Sequence, residues 1–188
     1  MTEEMNEAPF KAVDMSQFKR TYLDIPYADA HEREKLDLVL PDEGEGPFPV
    51  VVAVHGGAWK LRFKRADNIA GLFQAASQGY AVASVGYRLS SHAKWPAQVN
   101  DVKAAIRYLR NHAEEYHLDP TCVIVCGNSS GGHIAQTVAA TNDDIDFEDC
   151  LLGDCGDSSV QGCFSMYGVS DIYVCEHQTG HRDDGDNP

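Results

Sequence analysis

The chain has 188 residues, 43% of them hydrophobic, and a formal net charge of −14. That length accommodates one domain with a real core, and the acidic balance argues against nucleic acid and anionic membrane as partners. The first 19 residues lack the apolar stretch of a signal peptide and no run approaches the ~18 apolar residues of a membrane span, so a cytoplasmic protein is expected.

In chain order, residues 18–25 and 35–40 read as two opening strands, antiparallel across a polar turn at 28–34. A Gly/Pro/acidic loop at 41–47 leads into 48–54, a continuous apolar and β-branched run of the kind buried on both faces of a parallel sheet. It ends in His55-Gly56-Gly57-Ala58-Trp59. A helix near 67–77 closes at Gly79, and 80–85 is the next strand. Over 95–116, Val99, Val102, Ile106, Leu109, Ala113 and Tyr116 recur at three- and four-residue spacing, which predicts a helix that Asp119-Pro120 ends. A strand at 121–126 runs into Gly127-Asn128-Ser129-Ser130-Gly131-Gly132 and a helix at 133–140; 160–167 is one more strand. Strands alternating with crossover helices predict a doubly wound, mostly parallel α/β sheet over 18–172, between a polar segment at 1–17 and an acidic irregular tail at 173–188.

Chemistry enters at the strand–G-x-S-x-G–helix junction. A serine on a sharp strand-to-helix turn is a nucleophile elbow. Gly127 and Gly131 remove side chains where strand and helix approach, and the helix start points free N–H groups and its positive dipole end at any oxyanion formed on Ser129. The His55-Gly56-Gly57 turn after the earlier strand supplies a second set of backbone donors. Ser129 is therefore the candidate nucleophile. Gly57, Ala58 and Ser130 are the candidate oxyanion donors, supported by His55, Gly56, Gly127 and Gly131.

Other clusters carry less. From Thr141 onward there are 12 acidic residues and one basic, Arg182. Asp143, Asp144, Asp146, Glu148 and Asp149 read as solvated loop surface, because a calcium loop of the EF-hand kind needs a glycine they lack. Cys122 and Cys126 lie on one strand roughly 13 Å apart, beyond disulfide reach, and the remaining cysteines match no zinc spacing. Neither a metal nor a cofactor is expected.

Taken together, His55-Gly56-Gly57-Ala58-Trp59, Tyr87-Arg88-Leu89-Ser90, Trp95-Pro96-Ala97-Gln98, the 101–107 stretch, Leu118-Asp119-Pro120, the elbow, Ser159-Val160-Gln161 and Tyr167-Gly168-Val169-Ser170-Asp171 resemble the acetyl-esterase/feruloyl-esterase-like (BD-FAE-like) branch of the α/β-hydrolase fold. This branch is related to the hormone-sensitive-lipase-like esterases. The resemblance runs from about Thr21 to Ile172, with Ser130 where the family usually has Ala and Val169 where Pro is usual. It implies a small-molecule ester as substrate, with short acyl groups such as those of acetylated or feruloylated sugars. Trp59 and Trp95 either line that site or anchor packing.

In this fold the acid and base follow the nucleophile on later strands. After Ser129 only one further strand is visible, and the missing β-plus-helix units need roughly 80–110 residues. The sheet thus reads as truncated after its sixth strand, with the triad Asp and His missing. Asp171 matches the end of the strand before the cap. His133 reads as packing or solvent-facing, and His177, His181, Asp183, Asp184 and Asp186 lie in the tail. The leading expectation is a serine carboxylesterase, inactive as this chain alone and prone to self-association through the exposed sheet edge. The alternatives are a non-catalytic remnant or binding module and, less favoured, a serine peptidase.

Overall fold

The run Phe48-Pro49-Val50-Val51-Val52-Ala53-Val54 has no charged side chain to keep in water, and it forms the central strand. The computed structural model of the chain describes residues 11–154, 156–172 and 174. Its strands are β1 (Thr21–Pro26), β2 (Lys35–Val39), β3 (Phe48–Val54), β4 (Ala81–Val85), β5 (Leu118–Asn128) and β6 (Gly162–Met166), in sheet order β1-β2-β4-β3-β5-β6. β1 and β2, and β2 and β4, pair antiparallel. β4, β3, β5 and β6 pair parallel, as βαβ crossovers require.

Period-two alternation along β3 sends its side chains to two separate cores. Val50, Val52 and Val54 pack with Val99, Ile106, Ile134 and Val138, from helices α1 (Ala97–Asn111) and α2 (Ser130–Ala140). Val51 and Ala53 face the other way, against Ile69, Phe73 and Ala76. Each fully buried aliphatic side chain contributes about 1.5–3 kcal/mol. The sheet is covered on both faces, as expected of a doubly wound fold.

The segment Asp67–Gln78 is where the structure departs from an ordinary α-helix. It runs as a 3₁₀ helix for 12 residues and ends at Gly79, whose φ of 90° suits the residue named for that stop. β1 starts later than its apolar signal, because Met15–Gln17 first form a 3₁₀ turn capped by Asp14 with Met15 buried. α1 stops at Asn111, yet Ala113 and Tyr116 stay buried beyond it. β5 takes in Pro120 at a shift of register against β3. Val160, expected on the exposed edge, precedes β6 and is buried in the core, whereas Cys163 and Phe164 are exposed.

Buried charge ties the loops down. Arg88 holds Asp101 through Nη2 at 2.5 Å and Glu34 through Nε at 3.1 Å, joining the loop after β4 to α1. The acidic loop is not wholly solvated. Its Glu148 reaches Lys103 at 3.0 Å and Arg107 at 2.5 Å, two buried cations on α1 that need a carboxylate. Among the described residues no helix is long and apolar enough to cross a membrane.

Candidate active site

β5 delivers Ser129 and α2 begins at the next residue. Ser129 sits at φ 51°, ψ −123°, a conformation that costs a non-glycine residue about 1–3 kcal/mol and persists only where its surroundings impose it. Two hydrogen bonds do so. Ser129 N donates to Met166 O and His133 N donates to Ser129 O, both at 3.0 Å. A Cβ at Gly127 would strike Gly131 O, and one at Gly131 would strike the carbonyl oxygens of Val54 and His55. The two motif glycines are steric requirements. Gly132 is a third, since its Cβ would come within 2.9 Å of Gly168 Cα.

The turn after β3 lies against this elbow. Gly57, Ala58 and Trp59 have φ of 143°, 52° and 59° in succession, which turns the chain tightly enough for Gly57 O to accept from Lys60 N at 3.0 Å and Leu61 N at 2.9 Å. Gly56 N donates to Asn128 Oδ1 at 2.9 Å. Among the described residues the N–H groups of Gly57, Ala58 and Ser130 donate no hydrogen bond.

His55 is a structural member of this turn. Its ring is fully buried and stacks on Tyr87, with centroids 4.3 Å apart and planes at 16°. Nδ1 lies 3.0 Å from Gly56 O, an acceptor only, so Nδ1 carries the proton. Burial pushes the imidazole pKa down to about 3, and the ring is neutral at working pH. Tyr87 donates to His55 O at 2.8 Å and pins the turn from below.

His133, one helical turn beyond Ser129, is packed between aromatic rings. Its ring lies edge-on to Trp59 at 5.3 Å and tilted on Trp95 at 4.8 Å. Burial lowers its pKa and favours the neutral ring. Trp59 packs against the main core, while Trp95 is 44% exposed. Ser129 Oγ has no hydrogen-bond partner among the described residues. Asp171 is exposed and accepts from Val174 N at 3.0 Å. His177, His181, Asp183, Asp184 and Asp186 lie outside the described residues.

Sequence reasoning passed over one residue here. Asn128 is 2% exposed and connects the turn to the elbow, and its Nδ2 donates to Tyr167 Oη at 3.2 Å. The available signal was a carboxamide closing the apolar run at 122–127.

The BD-FAE family profile matches residues 36–187. The chain belongs to the BD-FAE family. It is 31% identical to Esterase LipQ of Mycobacterium tuberculosis over 82% of this chain and 37% of that one. Among solved structures, a bifunctional GH43-CE protein of Bacteroides eggerthii superposes with a TM-score of 0.77 at 34% identity, over 84% of this chain and 24% of that one. A truncated carbohydrate esterase from gut microbiota superposes with a TM-score of 0.68 at 29% identity, over 81% and 58% respectively. The fold is that of an α/β-hydrolase esterase. This chain spans 37%, 31% and 35% of the mycobacterial esterases LipQ, LipC and LipM.

Proposed function

We propose that this BD-FAE chain carries the nucleophile and the oxyanion donors of a serine carboxylic-ester hydrolase acting on short-chain acyl esters. The observation that carries the reading is the backbone of Ser129, at φ 51° and ψ −123° between a parallel strand and a helix start. Ser129 Oγ attacks the ester carbonyl, losing its proton to a base, and the carbonyl oxygen becomes an oxyanion. That oxyanion accepts from the N–H groups of Gly57, Ala58 and Ser130. Collapse expels the alcohol, and water then releases the acid from the acyl-enzyme. The short-chain acyl class is proposed from membership of the BD-FAE family.

The described residues offer Ser129 no base, because His55 is buried in its turn and His133 lies between two indoles. Loss of a triad member costs on the order of 10⁴–10⁶ in rate. Residues 1–188 alone therefore turn over p-nitrophenyl acetate no faster than their Ser129→Ala form. A Ser129-dependent rate of about one per second would contradict this. The same observation favours the second reading, a non-catalytic remnant of the fold.

The protein as its gene encodes it separates the two readings. With acetate, butyrate and decanoate esters of p-nitrophenol, kcat/KM is highest for the shorter acyl groups and falls to background in Ser129→Ala. Hydrolysis that survives Ser129→Ala overturns the nucleophile, and no hydrolysis by the parent leaves the remnant.

A further inference from the structure

The ladder between β3 and β5 ends at the pair Val54↔Gly127. One residue further on, the strands part into the 55–59 turn and the elbow, and a side chain replaces the backbone ladder. Asn128 Oδ1 accepts from Gly56 N at 2.9 Å in a buried position. The backbones are in close contact there as well, since a Cβ at Gly56 would come within 2.7 Å of Asn128 O. Gly56 can only donate at this point, which fixes the orientation of the carboxamide and leaves Nδ2 as the donor to Tyr167 Oη at 3.2 Å. Tyr167 leaves β6 at a left-handed φ of 45°, its ring largely exposed. A single side chain thus joins the ends of β3, β5 and β6 at the residue preceding Ser129.

We propose that Asn128 is a positioning residue for ester hydrolysis, whose carboxamide fixes the 55–59 turn to the elbow so that Gly57 N–H and Ala58 N–H stay aimed at the oxyanion. The proposal rests on the hydrolase reading above. Its physical content is the division of donors. Gly56 N–H is consumed by Asn128, and the next two N–H groups are held free by the positive φ values that follow. Without the carboxamide, Gly56 N–H is buried and unpaired, and the turn is free to rotate that peptide toward water. The donors then drift from the position the oxyanion occupies, which costs the chemical step and spares ground-state binding. Aspartate preserves the acceptor for Gly56. Leucine preserves approximate volume and removes both contacts.

The test uses the protein as its gene encodes it, with p-nitrophenyl acetate kinetics and residue-resolved amide exchange on Asn128→Leu, Asn128→Asp and Tyr167→Phe. In Asn128→Leu, kcat falls about 10²-fold while KM moves by less than about threefold. In the same variant, exchange at Gly56 accelerates by at least about tenfold. Asn128→Asp recovers most of kcat together with Gly56 protection. Tyr167→Phe keeps both, because the Gly56 contact is intact. An Asn128→Leu protein with parental kcat, or with lowered kcat and unchanged Gly56 exchange, overturns the proposal. If the leucine variant does not fold, Asn128→Asp decides: protected Gly56 with kcat retained supports the proposal, and protected Gly56 with kcat lost refutes it. Parental hydrolysis by Ser129→Ala removes the Ser129 nucleophile reading by itself, and Gly56 exchange in Asn128→Leu still reports whether Asn128 holds the turn.

Discussion

The ring of His133 lies 4.8 Å from that of Trp95, tilted at 36°, and this contact packs the histidine one helical turn from Ser129 against an indole. A general base needs a ring nitrogen within hydrogen-bond reach of the hydroxyl it deprotonates. In the protein as its gene encodes it, His133→Asn should therefore keep kcat within about tenfold of the parent in steady-state ester hydrolysis, where loss of a true base costs on the order of 10⁴–10⁶. A fall of the larger size would make His133 the base.

The elbow glycines differ sharply from glycines elsewhere. Gly131→Ala drives a methyl into the Val54 and His55 carbonyls and should destabilise the chain by about 3 kcal/mol. At Gly71 nothing lies within 4 Å of the added Cβ, and Gly71→Ala should be neutral or stabilising by about 0.4–1 kcal/mol. Denaturant unfolding of the two variants checks the contrast. Equal effects would mean that strand β3 and helix α2 are not in contact at Gly131.

Acid should weaken the fold through His55. Its folded pKa is depressed by burial from the ordinary 6.5 to about 3, so protonation favours the unfolded chain. The contribution is complete above about pH 6.5 and is lost as the pH falls toward 3. Between pH 7 and pH 5 the loss is about 2 kcal/mol. Guanidinium unfolding at both pH values should show that much extra loss in the parent relative to His55→Asn. Identical pH dependence in the two proteins would place a solvated imidazole at position 55.

Among the described residues β6 pairs with β5 alone, and Phe164, Tyr167 and Ile172 are 57%, 75% and 54% exposed at and after it. A parallel edge strand with apolar side chains in water is a template for pairing. Residues 1–188 should self-associate at μM–mM concentrations, more so as salt screens the net charge of −14. Phe164→Lys should shift the population toward monomer in sedimentation velocity. A parent that sediments as a monomer throughout would show the edge to be covered.

Much of this molecule was legible locally. The 48–54 run announces a strand buried on both sides because it has no charged residue, and the glycine spacing around Ser129 announces the elbow because each glycine answers a short-range clash. What sequence reading missed depends on partners distant along the chain. Gly56 and Asn128 are separated by 72 residues, and no local pattern pairs them. Glu148 looked like one more solvated carboxylate until Lys103 and Arg107, buried on α1, were seen to require it. The 3₁₀ geometry of Asp67–Gln78 was invisible for a related reason: its apolar spacing suits either helix, and only packing on the sheet decides.

If Ser129 is a nucleophile held in a strained elbow, a fluorophosphonate modifies it, and intact-mass and peptide mapping of the treated protein, as its gene encodes it, read this out. One phosphonyl adduct is expected, on the peptide containing Ser129, and none in Ser129→Ala. An adduct that persists in Ser129→Ala, or a parent that stays unmodified at saturating reagent, would contradict it.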